Sequence, residues 1–247
     1  MTHDEQQAVR PIIESVRLIK TYGLMPVLRG LDLTIWRGEF VALLGANGSG
    51  KSTFLRLLTG LTRPTSGVLR VGGWEMPQEA AAVRAQLGLV SHRSLLYDNL
   101  TARENLLFFG RLYNLPNGAL NARVDELLRQ VGLYKRAHDL PRQFSRGMLQ
   151  RLSIARALIH TPEILLFDEP HTGLDQSAAK ILDDLLINSH AEGRTIIMVT
   201  HHIERAAELV NRAVIIHRGT LAYDQPINGM SGLDLANTYR TVTGETA

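Results

Sequence analysis

The sequence predicts an α/β protein: a mostly parallel sheet flanked by helices, with a helical lobe inserted into it. Three observations predict this. An apolar run at 39–44 enters a glycine-rich turn and then a helix-periodic stretch at 52–58. Past residue 160, short apolar runs of strand length again alternate with helix-periodic stretches. Between them, from about 87 to 160, the pattern is largely helical.

Taken in order, 15–20 and 28–35 read as strands of an opening sheet. The run at 39–44 is a buried strand, and Ser66–Val71 is another, stopped by Gly72 and Gly73. Thr101 stands three residues ahead of Glu104, the spacing of a capping box, in which each residue satisfies a backbone N–H of the other. That box opens a helix over 102–113, and helices over 120–131 and 145–159 follow. Strands at 164–167 and Thr195–Val199 then alternate with helices at 177–190 and 203–210. Residues 213–217 and 221–224 close as a hairpin. A single domain is expected over 11–244, with 87–160 as the helical lobe within it.

Composition narrows the chemistry. At 247 residues the chain suits one sizeable domain and is too short for two full α/β domains. A net charge of +3 is a mild basic excess that suits a solvated surface, or contact with an anionic membrane face. It falls short of a nucleic-acid binder, and no nucleic-acid partner is expected. The absence of cysteine excludes disulfides, thiolate metal sites and cysteine nucleophiles. The first ten residues lack the basic-then-apolar order of a signal peptide. No apolar run approaches the ~20 residues that span a bilayer, so a cytoplasmic placement is expected.

Residues 45–53 read Gly45-Ala46-Asn47-Gly48-Ser49-Gly50-Lys51-Ser52-Thr53. This fits G-x-x-x-x-G-K-[ST] after a strand and before a helix, the context a phosphate loop requires. Glycines let the backbone wrap a polyphosphate with N–H groups pointing inward, and the helix adds its positive N-terminal dipole. Lys51 offers a charge to the β and γ phosphates, and Ser52 a hydroxyl to Mg²⁺. Downstream, the strand at 164–167 runs into Asp168-Glu169-Pro170. Acid is thereby exposed at the carboxyl edge of a parallel sheet, where ligands of such sheets bind. Asp168 would hold Mg²⁺ through water, and Glu169 would act as general base toward the attacking water. The helical lobe separates these carboxylates from Lys51, an insertion that small GTPase-like folds lack.

With these motifs in place the chain resembles the nucleotide-binding domain of ABC transporters along nearly its whole length. Phe144-Ser145-Arg146-Gly147-Met148-Leu149-Gln150-Arg151 stands where that family has its Leu-Ser-Gly-Gly-Gln signature. Thr172-Gly173-Leu174-Asp175 matches the D-loop, Val199-Thr200-His201 the switch histidine, and Tyr22 the aromatic on which adenine stacks. The resemblance implies the fold: a P-loop NTPase sheet core, an inserted helical subdomain and a small antiparallel β lobe. It also implies ATP and Mg²⁺ as cofactors and a second copy, or a homologous subunit, as head-to-tail partner. The γ-phosphate held by one copy would meet Ser145 and Gly147 of the other. Asp175 would bridge to the partner's site, and His201 would contact the γ-phosphate. Read without the resemblance, His201 is first a strand-end histidine with a structural hydrogen bond.

Two departures stand out. His92 occupies the place of the family's Q-loop glutamine, either as a catalytic-site ligand or as a packing residue at the groove for a membrane partner. Arg146 replaces a glycine, and either lies beside the partner's phosphates or faces solvent. The run from Val90-Ser91-His92 through Leu95-Leu96-Tyr97 to Thr101-Ala102-Arg103-Glu104 resembles the haem-exporter ATPases of cytochrome c maturation. That resemblance implies an exporter ATPase for haem, working with integral membrane permease subunits at the cytoplasmic face of the membrane. ATPases of other exporters (drug, lipid or polysaccharide) and soluble assembly ATPases of the iron–sulfur scaffold type share the nucleotide motifs.

Overall fold

Two sheets organise the chain, described here over residues 10–91, 94–227 and 229–244 of a computed structural model. The strands are β1 (Ile13–Tyr22), β2 (Met25–Ile35), β3 (Phe40–Leu44), β4 (Ser66–Val71), β5 (Trp74–Glu75), β6 (Leu87–Val90), β7 (Ile164–Asp168), β8 (Thr195–Val199), β9 (Arg212–His217) and β10 (Thr220–Pro226). The α-helices are α1 (Lys51–Leu58), α2 (Ala80–Ala85), α3 (Ala102–Leu112), α4 (Asn117–Gln130), α5 (Arg146–Leu158), α6 (Gln176–Ala191), α7 (Ile203–Leu209) and α8 (Gly232–Thr243). The larger sheet runs β10-β9-β3-β8-β7-β6; its strands pair in parallel except β10, which closes antiparallel on β9. The smaller sheet, β2-β1-β4-β5, is antiparallel throughout.

Alternation along each central strand shows why the large sheet is buried on both faces. Phe40, Ala42 and Leu44 of β3 join one apolar core, with Leu165, Phe167, Ile196 and Met198. Val41 and Leu43 join the other, with Ile164, Leu166, Ile197 and Val199. The first core is roofed by the helical lobe and by α6, α7 and α8, through Leu106, Val124, Leu152, Leu182, Ala206 and Leu235. The second is roofed by α1 and the small sheet, through Phe54, Leu57, Leu31 and Leu69.

The sequence reading contains no β5, α2, β6 or α8. Residues 87–90, read there as the start of the helical lobe, pair with β7 from Leu87↔Ile164 to Val90↔Phe167 and belong to the sheet. The lobe is fastened to this edge. Arg156 of α5 donates to the Leu89 carbonyl at 2.6 Å, and Ser153 Oγ donates to the Ser94 carbonyl at 3.1 Å. The fully buried Asn105 of α3 donates to the carbonyls of Tyr97, Leu100 and Thr101 and accepts from the Tyr97 N–H. The Thr101–Glu104 capping box is formed in both directions, at 3.2 and 2.8 Å. Among the described residues no helix is long and apolar enough to cross a membrane.

Candidate active site

The turn between β3 and α1 is shaped by its glycines. Gly45, Gly48 and Gly50 all take positive φ, at 150°, 79° and 114°. A Cβ on Gly45 would overlap the Ile216 carbonyl, and one on Gly50 would come 2.6 Å from Leu28 Cδ2. Side chains are excluded at both places by backbone and core, so the loop wraps tightly, as a backbone cradle for an anion requires. Ser49 Oγ is buried with no hydrogen-bond partner among the described residues. Buried polar atoms are rarely left so, and this one suits an anion in the cradle.

Lys51, the first residue of α1, is 8% exposed, and its ammonium donates to the carbonyls of Gly45 at 2.6 Å and Ala46 at 3.0 Å. Burial pushes its pKa below the usual lysine value, while the charges of Glu169 and Asp168 pull it back up. The carboxylates predicted to share the site are therefore close enough to be felt. Ser52 is exposed in the first turn of α1, Thr53 is half-buried, and Asn47 and Gly48 stand exposed at the loop tip.

Asp168 ends β7, half-buried. Glu169 follows with φ +53°, a conformation costly for a side chain of this size and one held by surrounding contacts. Its N–H donates to the Val199 carbonyl at 2.9 Å, which locks the turn to β8. Its carboxylate receives both the Nδ1 of His201 at 2.8 Å and the His201 N–H at 3.3 Å. His201 and Glu169, read separately in the sequence as candidates for switch histidine and general base, thus form one pair. His201 remains exposed, at 60% of its side chain.

Ser145 caps α5, accepting from the Met148 N–H at 3.3 Å, and both Ser145 and Arg146 are exposed. The space left by Gly147 is taken by Ala178 of α6, 2.8 Å from where a Cβ would stand. Arg146 lies across Gly173 of its own chain, and Met148 packs against the core of the helical lobe. Asp175 caps α6, accepting from the Ala178 N–H at 2.8 Å. Tyr22, at the end of β1, is 43% exposed with the Lys20 ammonium 4.8 Å from its ring centre. The hairpin that carries it lies on the phosphate loop through Val27 and Leu28, which face Gly50. His92 lies outside the described residues.

A cavity of about 740 Å³ is lined by Asn47, Glu169 and His201 together with Arg146, Leu149 and Gln150 of α5. Leu149 and Thr172 fall within the signature and D-loop matches, but the sequence gives neither a role of its own. Both sit inside motifs already recognised, and their adjacency to signature and D-loop residues was the available signal.

The family model for ABC transporters matches residues 28–172. The ABC transporter ATP-binding protein NatA of Bacillus subtilis is 39% identical over 81% of this chain and 82% of its own. The Nod factor export ATP-binding protein I of Cupriavidus pinatubonensis is 39% identical over 94% of this chain and 73% of its own. Among solved structures, the dimeric post-hydrolysis state of the ATP-binding cassette MJ0796, bound to ADP and Pi, superposes with a TM-score of 0.80. It is 29% identical and covers 88% of this chain and 100% of that one.

Proposed function

This chain belongs to the ABC transporter family and is an ATPase of that family, and from that premise we propose that it is the motor of an exporter, working as a head-to-tail pair. The observation that carries this reading is the Glu169–His201 pair at 2.8 Å beside the phosphate loop. A carboxylate able to take a proton and an imidazole able to face a γ-phosphate converge on one point. The amides of 45–50 and Lys51 grip the triphosphate, and Tyr22 receives the adenine. Glu169 holds the ring of His201 through Nδ1, and His201 would contact the γ-phosphate. Glu169 orients the attacking water and accepts its proton.

Ser52 and Asp168 would hold Mg²⁺. Ser52, exposed in the first turn of α1, and Asp168, half-buried at the end of β7, supply the hydroxyl and the carboxylate that an ion shared with phosphate and water takes. When bound, Mg²⁺ neutralises charge on the β and γ oxygens. The tip of α5 from a second copy, with Ser145 and its N–H groups, closes the nucleotide from the far side, and Asp175 lies at the same seam. Integral membrane permease subunits carry the cargo, and the motor works at the cytoplasmic face of the membrane. Relatives named for Nod factor export favour an exporter, and haem export draws no support from the relatives named above.

Glu169→Gln is the test. The variant is expected to bind ATP as the parent does, to lose turnover by roughly a thousandfold, and to accumulate as a nucleotide-bound dimer in light scattering. Ordinary turnover would remove the general-base assignment.

A further inference from the structure

We propose that His171, Asp183 and Arg205 form a positioning relay that holds the turn bearing Glu169 in register with the helix that follows His201. The relay rests on the reading of Glu169 and His201 given above. Asp183 of α6 is its hub. His171 Nε2 donates to Asp183 Oδ1 at 2.7 Å. Arg205 of α7 reaches the same carboxylate through Nε, at 3.2 Å to Oδ1 and 3.0 Å to Oδ2, and through Nη2 to Oδ2.

Both ends of this relay lie beside the proposed chemistry. His171 is two residues past Glu169 and within its turn, where the Thr172 N–H donates to the Glu169 carbonyl and the Leu174 N–H to the His171 carbonyl. Arg205 is about one helical turn past His201. Glu169 and His201 also touch directly, so two routes join the same two elements. One is the contact between reacting groups, and the other runs through Asp183. None of the three residues lines the cavity shared by Asn47, Glu169 and His201. Their influence on hydrolysis therefore passes through position.

The relay is stiff for physical reasons. The His171 side chain is 4% exposed and that of Asp183 16%, so the bonds form where water competes poorly. Burial pushes the His171 pKa down, against the hydrogen bond and charge of Asp183, which leaves a neutral ring donating from Nε2. The Arg205 guanidinium answers the carboxylate charge in a forked geometry that fixes direction as well as distance. On its other side α7 is backed by α8: a Cβ at Gly232 would stand 2.8 Å from Glu204 Cα. Glu169 needs such support, because its positive φ persists only where surrounding contacts over-determine it.

The test is steady-state ATP hydrolysis by the full chain, with nucleotide affinity and melting temperature measured in parallel. Asp183→Asn is expected to lower kcat about tenfold and leave KM for ATP within about twofold, the mark of lost alignment. His171→Gln, which keeps a donor, should recover most of the rate that His171→Ala loses. Asp183→Asn combined with Arg205→Met should be no slower than Asp183→Asn alone, since one relay is broken once. A folded Asp183→Asn with full kcat, or losses that multiply in the double variant, would overturn the relay. If Asp183→Asn does not fold, the His171 pair decides: unequal rates support the relay and equal rates overturn it. Glu169→Gln runs alongside. Its inactivity together with full-rate Asp183 and His171 variants sinks the relay alone, whereas its ordinary turnover sinks the underlying reading.

Discussion

At the phosphate loop the chain buries its lysine and holds it on its own carbonyls, whereas at the tip of α5 it leaves its polar side chains facing outward. Lys51 is buried on two carbonyls, Gly45 and Gly50 are closed in by Ile216 and Leu28, and Glu169 holds His201. Ser145 and Arg146 stand exposed, with a single cap to the Met148 N–H and a packing contact on Gly173. Yet the other end of α5 is anchored as firmly as the loop. Arg156 bonds Leu89, and His160 stacks on Tyr113 with ring centres 3.7 Å apart. One helix thus has a fixed base and an exposed tip. A grip completed by a second molecule calls for that contrast: a rigid cradle, and a rigid lever whose end is left for the partner.

The strongest way to break the comparison is to disable each half separately. Lys51→Ala should weaken ATP binding by roughly a hundredfold, and Ser145→Ala should spare binding by the isolated chain while lowering turnover about tenfold. Mixing the two impaired preparations under exchange should raise hydrolysis above the average of the two measured alone, because one intact composite site forms. No recovery in a mixture shown to exchange would mean that both halves act within one chain.

A smaller effect concerns the base of α5. Burial pushes the His160 pKa down to about 4, against the pull of its bond to the Leu87 carbonyl. The unfolded chain therefore binds the proton more readily between about pH 6.5 and 4. The stabilisation is full above that window and is lost as pH falls through it, by about 2 kcal/mol once partial solvent screening is allowed for. His160→Gln should flatten this part of the stability profile in denaturant titrations. An unchanged slope would show that the ring titrates as if exposed. The smallest effect is expected at the tip, where Arg146→Ala should change stability by less than about 0.5 kcal/mol in thermal melts. A larger loss would mean that its contact with Gly173 holds the tip in place.

Much of this was legible beforehand, and unevenly. Residues 39–58 announce themselves because an apolar strand, a glycine pattern and a periodic helix are all local signals. The capping box at Thr101 is local too, and it formed as read. Leu87–Val90 escaped notice because four residues with a glycine carry little pattern until β7 lies beside them. The polar, threonine-bearing run of α8 hid a helix that Leu235 ties to the core, with Tyr239 and Val242 packed against it. Gly147 permits close backbone approach, and within the folded chain Ala178 comes 2.8 Å from where its Cβ would stand.

By itself, the sequence determined the phosphate loop, the paired carboxylates at the end of β7 and the order of the elements around them. Each depends on neighbours within a few residues. Tertiary structure alone decided the left-handed turn at Glu169, the capture of His201 by its carboxylate and the meeting of His171 with Arg205 on Asp183. Those contacts join residues far apart in the chain. No local periodicity encodes them, because they come into being only when β7, β8, α6 and α7 pack around one core.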